Sequence, residues 1–391
     1  MCTFQVTLMT IFLLIFLIAI LIYSFLIDYY RRAWNRISNA EIHDVTDVRV
    51  SVIIAVRNEE KNLPDLIAHL GRQQYAKTLF EVILVDDHST DSTYQLLQSL
   101  KNDGISLKIL QLPDGVTSKK RAIDAGVKAA TGELIITTDA DCRMNDTWIS
   151  SFASFFKQTG AQFIAAPVKM EGHFSLLHIL QSLDFLAMQA ITAASVNNRF
   201  HTMCNGANLA YTKSAFIEVN GFERIEEIPS GDDMLLMHKI YVRYPDKVLY
   251  MKNADAIVTT VPESTWKNFL HQRIRWASKA VHYKDKRIIY VLALTYLVNL
   301  CYLVLAVAAV IKIYWLSFLL LLLLAKVLIE FPFVNAAAVF FHQQKLMKYF
   351  PLLQPIHIAY IVVSGWLGRF GSYEWKSRII KNKGRGNLVK Q

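Results

Sequence analysis

Cysteine is scarce and scattered: Cys2, Cys142, Cys204 and Cys301 are the only four in 391 residues, and they form no Cys-x-x-Cys pair. A disulfide framework and a structural zinc site are thereby excluded as organising elements, and the thiols are expected to be reduced and structural. Charge is also thin, because Asp, Glu, Lys and Arg make up 19% of the chain against 53% apolar residues, with a mean hydropathy of +0.27. That balance excludes an ordinary soluble protein, and the length exceeds one small domain. Neither Gly-x-Gly-x-x-Gly nor Gly-x-x-x-x-Gly-Lys-Ser/Thr occurs, which removes the usual dinucleotide fingerprint and the Walker phosphate loop. Between about Val50 and Tyr283, internal repeats, low-complexity tracts and Pro/Gly-rich linkers are absent as well.

What the chain has instead is long apolar runs. Met1 to Leu26 carries no charge, and Leu8 to Ile27 supplies the roughly 20 residues that match a bilayer's hydrocarbon thickness. A cleaved signal peptide would show a basic start, a shorter apolar core and a small-residue exit, so a retained anchor is expected. Arg31, Arg32 and Arg36 follow at once, and the positive-inside tendency then puts the middle of the chain in the cytoplasm. The rest of the +10 net charge gathers near apolar segments, at Lys284, Lys286, Arg287 and from Lys376 onward. Anionic headgroups explain this better than nucleic acid, so the membrane is an expected partner and nucleic acid is not.

After Arg287, Ile288 to Ile311 and Tyr314 to Val334 are long enough to span, with Lys326 and Glu330 placed to pair on one helix face. Tyr349 to Phe370 contains Pro351, Gln354, Pro355, His357, Ser364 and Gly365 and makes a poorer span. A re-entrant or interfacial segment is expected there, which keeps Lys376, Arg378, Lys381, Lys383, Arg385 and Lys390 on the inside. Tyr373 to Arg378 suits an interface.

Between Val50 and Tyr283 strand and helix patterns alternate. Strands are expected at Val50 to Val56, Phe80 to Val85, Leu107 to Leu110 and Leu134 to Thr138, and helices at Leu63 to Gln73, Tyr94 to Leu100 and Lys119 to Ala130. Such alternation indicates an α/β fold with a mostly parallel sheet covered on both faces, and ligands of such sheets bind beyond the carboxyl ends of the strands.

The polar residues gather at those ends. Strand one runs into Arg57-Asn58-Glu59-Glu60, strand two into Asp86-Asp87-His88-Ser89-Thr90-Asp91, and the fourth into Asp139-Ala140-Asp141. On an extended backbone residues i and i+2 face the same side, so Asp139 and Asp141 can converge on one hard cation and the oxygens it holds. Alone, an Asp-x-Asp is more often an acidic turn; three acidic clusters at one sheet edge are a stronger signal. Lys119, Lys120 and Arg121 open a helix beside them, where cations and a helix N-terminus can accept phosphate oxygens, unless they form a solvated basic face. His88, His271 and His282 stand singly and suit surface or core roles.

These residues resemble the motif set of family 2 glycosyltransferases. Ser51 to Glu59, Val85 to Thr93, Asp139-Ala140-Asp141, Gly231-Asp232-Asp233 and Gln272-Arg273-Ile274-Arg275-Trp276 follow its order, as in hyaluronan, chitin and cellulose synthases and ceramide glucosyltransferase-like enzymes. The resemblance covers roughly Val50 to Tyr283. It implies a GT-A fold, a nucleotide-sugar donor with a UDP-sugar foremost, a lipid or glycan acceptor, and Mg²⁺ or Mn²⁺. The expected organisation is an anchor at 1–30, a GT-A domain at 46–285, membrane helices at 286–375 and a basic tail at 376–391.

Residue by residue, the resemblance assigns Asp86 and Asp87 to the donor base and ribose, flanked by Asn58 and Glu59, with Arg275 on phosphate, where Lys120 of the basic helix start is also expected. Asp141 would ligate the metal and Asp139 would face the ribose or metal. Asn205-Gly206-Ala207-Asn208 would lie beneath the transferred sugar, with Gly206, Asn208, Gln272 and Trp276 toward the acceptor. Asp233 would be the general base, with Asp232 in place of a more usual Glu. Ala55 also departs, standing where many members have Pro, and Gly231-Asp232-Asp233 replaces Thr/Ser-Glu-Asp, so the base assignment lies between two neighbours.

The chemistry of these residue types agrees. Displacing a nucleoside diphosphate needs a metal to neutralise the leaving charge and a base to deprotonate the attacking hydroxyl, and direct attack inverts the anomeric centre. Trp offers an apolar face to a sugar ring, and Arg makes paired bonds to phosphate. Gln272 to Trp276 also reads as an interfacial helix. The expectation is a membrane-bound, inverting, multi-pass glycosyltransferase of the cell membrane with a cytoplasmic catalytic domain. Alternatives are a processive polysaccharide synthase, which the Gln-x-x-Arg-Trp pattern permits, and a catalytically silent nucleotide-sugar sensor. A nucleotidyltransferase would need a glycine-rich phosphate loop that is not seen.

Overall fold

A computed structural model describes residues 2–43, 47–100, 104–226, 228, 231–370, 372–375 and 378–381. In chain order the elements are α1 (Cys2–Arg36), β1 (Val50–Val56), α2 (Leu63–Gly71), β2 (Phe80–Asp86), α3 (Thr93–Ser99), β3 (Ser106–Gln111), α4 (Lys119–Ala129), β4 (Leu134–Thr137), α5 (Trp148–Thr159), β5 (Phe163–Ala165) and β6 (Val168–Met170). There follow α6 (Leu176–Asn197), β7 (Leu209–Thr212), α7 (Lys213–Glu218), α8 (Asp232–Arg243), β8 (Val248–Tyr250), β9 (Val258–Thr260), α9 (Trp266–Ser278), α10 (Lys286–Ile311), α11 (Trp315–Phe340), α12 (Phe350–Phe370), β10 (Ser372–Trp375) and β11 (Arg378–Lys381). The chain divides into a sheet unit, residues 36–172 and 191–262, and a helical unit, residues 1–35, 173–190 and 263–391.

The sheet unit is built on seven strands in the order β3-β2-β1-β4-β7-β5-β8. β1 pairs in parallel with both β2 and β4, whereas β7 runs antiparallel between β4 and β5. The central strands are apolar throughout because both faces are covered: Ile53, Ile54, Ile83, Leu84, Ile135 and Ile136 are all fully buried. Register then decides what emerges where. Val56 lies opposite Asp86, so the chain leaves β1 and β2 side by side. Thr137 lies opposite both Ile53 and Leu209, so the end of β4 and the start of β7 meet at the same sheet edge. A separate parallel pair, β6 with β9, is bridged to Arg143 through Thr259.

Among the described residues, α1, α6, α10, α11 and α12 belong to five helical segments long and apolar enough to cross a membrane, the last spanning Gln344–Phe370. The pair expected on α11 forms, Lys326 Nζ donating to Glu330 Oε1 at 2.5 Å, and it extends into a closed network. Lys326 also donates to Gln354 Oε1 at 2.9 Å, Gln354 Nε2 to Glu330 Oε2 at 2.9 Å, and Tyr23 Oη to Glu330 Oε1 at 2.6 Å. Charges this deep are tolerable because each one is met by a partner.

The segment expected to be re-entrant or interfacial contains the continuous helix α12, with Pro351 in its first turn and Pro355 inside it, and Gln354 is spent within the unit. α6 was not anticipated, since Gln181, Asp184 and Gln189 interrupt its apolar pattern. The expected basic tail at 376–391 lies outside the described residues, apart from the backbone of 378–381.

Candidate active site

The loops after β1 and β2 are stitched together. Asn58 adopts a left-handed backbone, φ 54°, and its Oδ1 accepts from Thr90 N at 2.8 Å while its own N–H donates to Ser89 Oγ at 3.0 Å. His88, also at φ 54°, is braced by the carbonyls of Pro113 and Val116. Non-glycine residues hold this conformation only where their surroundings impose it, and such positions cluster at functional sites. Glu59 receives the Asn62 amide at 2.7 Å and donates its N–H to Thr93 Oγ1 at 2.8 Å.

The two aspartates after β2 differ in their engagements. Asp86 is fully buried and accepts from Ser89 N and Gln111 Nε2, which fixes the turn. Asp87 accepts from Thr117 Oγ1 at 2.6 Å, with Arg57 Nη1 3.6 Å from its Oδ2.

Asp139 and Asp141 do not sit on the extended backbone expected of them. β4 ends at Thr137, and the pair sits in a turn closed by Cys142 N donating to Asp139 O at 3.2 Å, not on extended backbone. Asp141 is pushed up to about 6 by burial, by the charge of Asp139 and by that of Glu59. A buried carboxylate among like charges fits a hard cation, for which carboxylate oxygens are suitable donors. Among the described residues no three His, Cys, Asp or Glu side chains gather closely enough to hold a metal ion by themselves.

Lys119 and Lys120 part ways at the start of α4, which Ser118 caps by accepting from Arg121 N at 3.2 Å. Lys119 Nζ lies 2.5 Å from Asp139 Oδ1 and 3.5 Å from Asp232 Oδ2. Burial pulls its pKa down, but the Asp139 and Asp232 carboxylates outweigh that and hold it above the ordinary lysine value. Lys120, which the sequence reading put on phosphate, is buried and donates to the carbonyls of Ile225 and Ile228, each at 2.6 Å. The cation among the acidic residues is therefore Lys119.

α8 begins directly after Gly231, whose φ of 82° a side chain would strain, and this turn brings Asp232 and Asp233 into the helix's first turn. Asp233 Oδ2 accepts from Gly206 N at 3.0 Å and its Oδ1 from Met234 N at 2.8 Å. Gly206 is pressed against this cluster: a Cβ there would meet Lys119 Nζ at 3.3 Å and Asp233 Cβ at 3.4 Å. Asn208, expected toward the acceptor, is instead fully buried, and its amide is spent on Trp148 Nε1, Pro167 O and Ala256 O. It braces the loop from beneath.

Gln272, Arg275 and Trp276 lie on α9 in the helical unit, with Gln272 Nε2 donating to Glu263 Oε1 at 3.2 Å. Cys142, Cys204 and Cys301 are buried, and no disulfide joins them.

The sequence profile of glycosyl transferase family 2 matches residues 51–218. The poly(ribitol-phosphate) β-N-acetylglucosaminyltransferase TarS of Staphylococcus aureus (strain Mu50) is 28% identical over 195 residues, 50% of this chain and 33% of that protein. The undecaprenyl-phosphate 4-deoxy-4-formamido-L-arabinose transferase of Yersinia pestis (strain Pestoides F) is 40% identical over 94 residues, 24% of this chain and 29% of that one. The chain thus spans a third or less of the length of these curated relatives. Among solved structures, the mannosyltransferase PcManGT from Pyrobaculum calidifontis, in complex with GDP-Man and Mn²⁺, superposes with a TM-score of 0.60 at 16% identity, covering 88% of this chain and 97% of that one. This likeness concerns the fold, which is GT-A.

Proposed function

Because residues 51–218 match glycosyl transferase family 2, we propose that the chain is a membrane-bound, inverting glycosyltransferase moving a sugar from a nucleotide-diphosphate donor, a UDP-sugar foremost, to a lipid or growing glycan. The observation that carries this reading is the convergence of Asp139, Lys119, Asp232 and Asp233 against the backbone of Gly206 at one sheet edge.

The proposed roles are as follows. Asn58, Glu59, Asp86 and Asp87 form and brace the loops that would receive the nucleoside. Lys119, released from Asp139, would meet the diphosphate. Asp141 with Asp139 would hold Mg²⁺ or Mn²⁺, which when bound supplies neutralising charge for the leaving diphosphate. Asp233 would take the proton from the acceptor hydroxyl as its oxygen bonds to the anomeric carbon and the carbon–phosphate oxygen bond breaks. Asp232 would keep Lys119 in place.

One relative is named for a poly(ribitol-phosphate) substrate and the other for an undecaprenyl-phosphate one, which are the two acceptor classes to consider here. Five helical segments long and apolar enough to cross a membrane, among the described residues, favour the lipid-linked class. Gln272 and Trp276, on a helix of the same unit, would hold its glycan or headgroup. The cell membrane with the sheet unit in the cytoplasm is the proposed location, from Arg31, Arg32 and Arg36 after α1.

The test is to incubate membranes containing the chain with a panel of labelled nucleotide sugars and to extract lipid and polymer separately. Label entering the lipid fraction from one sugar nucleotide, dependent on a divalent cation, is expected. Absence of both incorporation and nucleotide release for every donor would overturn the reading.

A further inference from the structure

Arg273 is the charged residue of the Gln-Arg-Ile-Arg-Trp run to which no role has yet been given, and it is buried, with a side chain 4% exposed. Its guanidinium lies 4.2 Å from the ring centroid of Trp276 and 4.8 Å from that of Phe269. Its Nη1 donates to Gln272 Oε1 at 2.8 Å. One side chain therefore holds both neighbours proposed to meet the acceptor, one through a hydrogen bond and the other through the face of its ring. Stacking on aromatics and a planar fork of donors are properties of arginine that lysine lacks.

Arg273 is itself held. Its Nη2 lies 2.8 Å from Asp184 Oδ2 on α6, and that carboxylate is 8% exposed. Tyr360 of α12 donates its Oη to Asp184 Oδ1, and His357 Nε2 lies 3.7 Å from the same oxygen. Phe185, beside Asp184, packs its ring 6.3 Å from that of Trp276. Gln272 is fixed at its other end by Glu263, whose backbone N–H and carbonyl are both bonded by Gln181 of α6. A buried ion pair gives weak net stabilisation after desolvation, so its use is better sought in what it orients.

We propose that Asp184 and Arg273 are positioning residues: Asp184 aims the Arg273 guanidinium, which sets the ring of Trp276 and the amide of Gln272 in the orientation that receives the acceptor. This rests on the reading that Trp276 and Gln272 face the acceptor. Tyr360 acts one step further out by fixing the Asp184 carboxylate, so helices α6 and α12 both bear on the orientation of one tryptophan.

The test uses the full chain in detergent, labelled with 5-fluorotryptophan, in which the chain's seven tryptophans give separate ¹⁹F signals and Trp276→Phe identifies its own. Arg273→Lys and Asp184→Asn should shift the Trp276 signal while leaving that of Trp148, in the sheet unit, unmoved. Asp184→Glu should restore it in part, and Tyr360→Phe, which removes one hydroxyl, should shift it less and in the same direction. With the donor and acceptor found by the membrane panel, Asp184→Asn should raise the acceptor KM by about tenfold with the donor KM unchanged, as loss of alignment does. Folded variants with an unmoved Trp276 signal would overturn the positioning. A moved signal with both KM values unchanged would retain the positioning but place the acceptor elsewhere, which contradicts the role given to Trp276.

Discussion

The backbone N–H of Gly206 donates to Asp233 Oδ2 at 3.0 Å, tying the loop before β7 to the first turn of α8. Space is tight there, since an added Cβ would lie 3.3 Å from Lys119 Nζ and 3.4 Å from Asp233 Cβ. Gly206→Ala should therefore leave the chain folded, within about 1 kcal/mol by thermal unfolding, and lower transfer by about tenfold or more through displaced reacting groups. Transfer at the parental rate would separate the loop from the proposed base.

The adjacent lysines should behave differently. Lys119→Ala removes the cation between Asp139 and Asp232, so nucleotide-sugar affinity should fall with little change in melting temperature. Lys120→Ala strips the carbonyls of Ile225 and Ile228 of a buried donor and should cost about 1–3 kcal/mol of stability. Equilibrium binding of UDP alongside denaturant unfolding distinguishes them, and the opposite pattern would return the phosphate role to Lys120.

Asp141→Ala should abolish transfer in Mg²⁺ or Mn²⁺ while membrane insertion and unfolding remain parental, because hard cations depend on carboxylate ligands. Unchanged transfer in the variant, or full activity of the parental chain in chelator, would remove the metal assignment.

Acid should weaken the sheet unit through Glu81. Its burial alone would raise the carboxyl, but bonds from Lys108, Ser51 and Thr131 bring it down to about 2 from an ordinary 4.5. A depressed carboxyl contributes stability above its unfolded value and loses it as pH falls through the folded one. Parental stability should thus decline between about pH 4.5 and 2, and Glu81→Gln should cost about 2 kcal/mol at neutral pH and flatten that decline. Chemical unfolding across the range checks both, and a parallel decline in the variant would contradict the assignment.

Strand positions and the polar residues at their ends were legible because a parallel sheet writes itself as apolar runs, and register then aligns the ends. Which lysine faces the carboxylates was legible too, though read wrongly. Lys120, Ile123 and Val127 fall on one face of α4 and are buried together, so Lys119 had to point elsewhere. The burial of Asn208 was not legible, because its partners Trp148, Pro167 and Ala256 are remote in sequence. α6 escaped for a related reason: Gln181 and Asp184 look like surface residues until their partners at 263 and 273 are known.

Acceptor turnover by Asp233→Asn, measured beside donor affinity and beside Asp232→Asn, tests most directly that this is a base-assisted glycosyl transfer. Asp233→Asn should lower transfer by roughly two to four orders of magnitude, the usual contribution of a general base, with donor affinity kept and Asp232→Asn milder. Parental turnover in both variants would contradict the mechanism, and a dead Asp232→Asn beside an active Asp233→Asn would move the base by one residue.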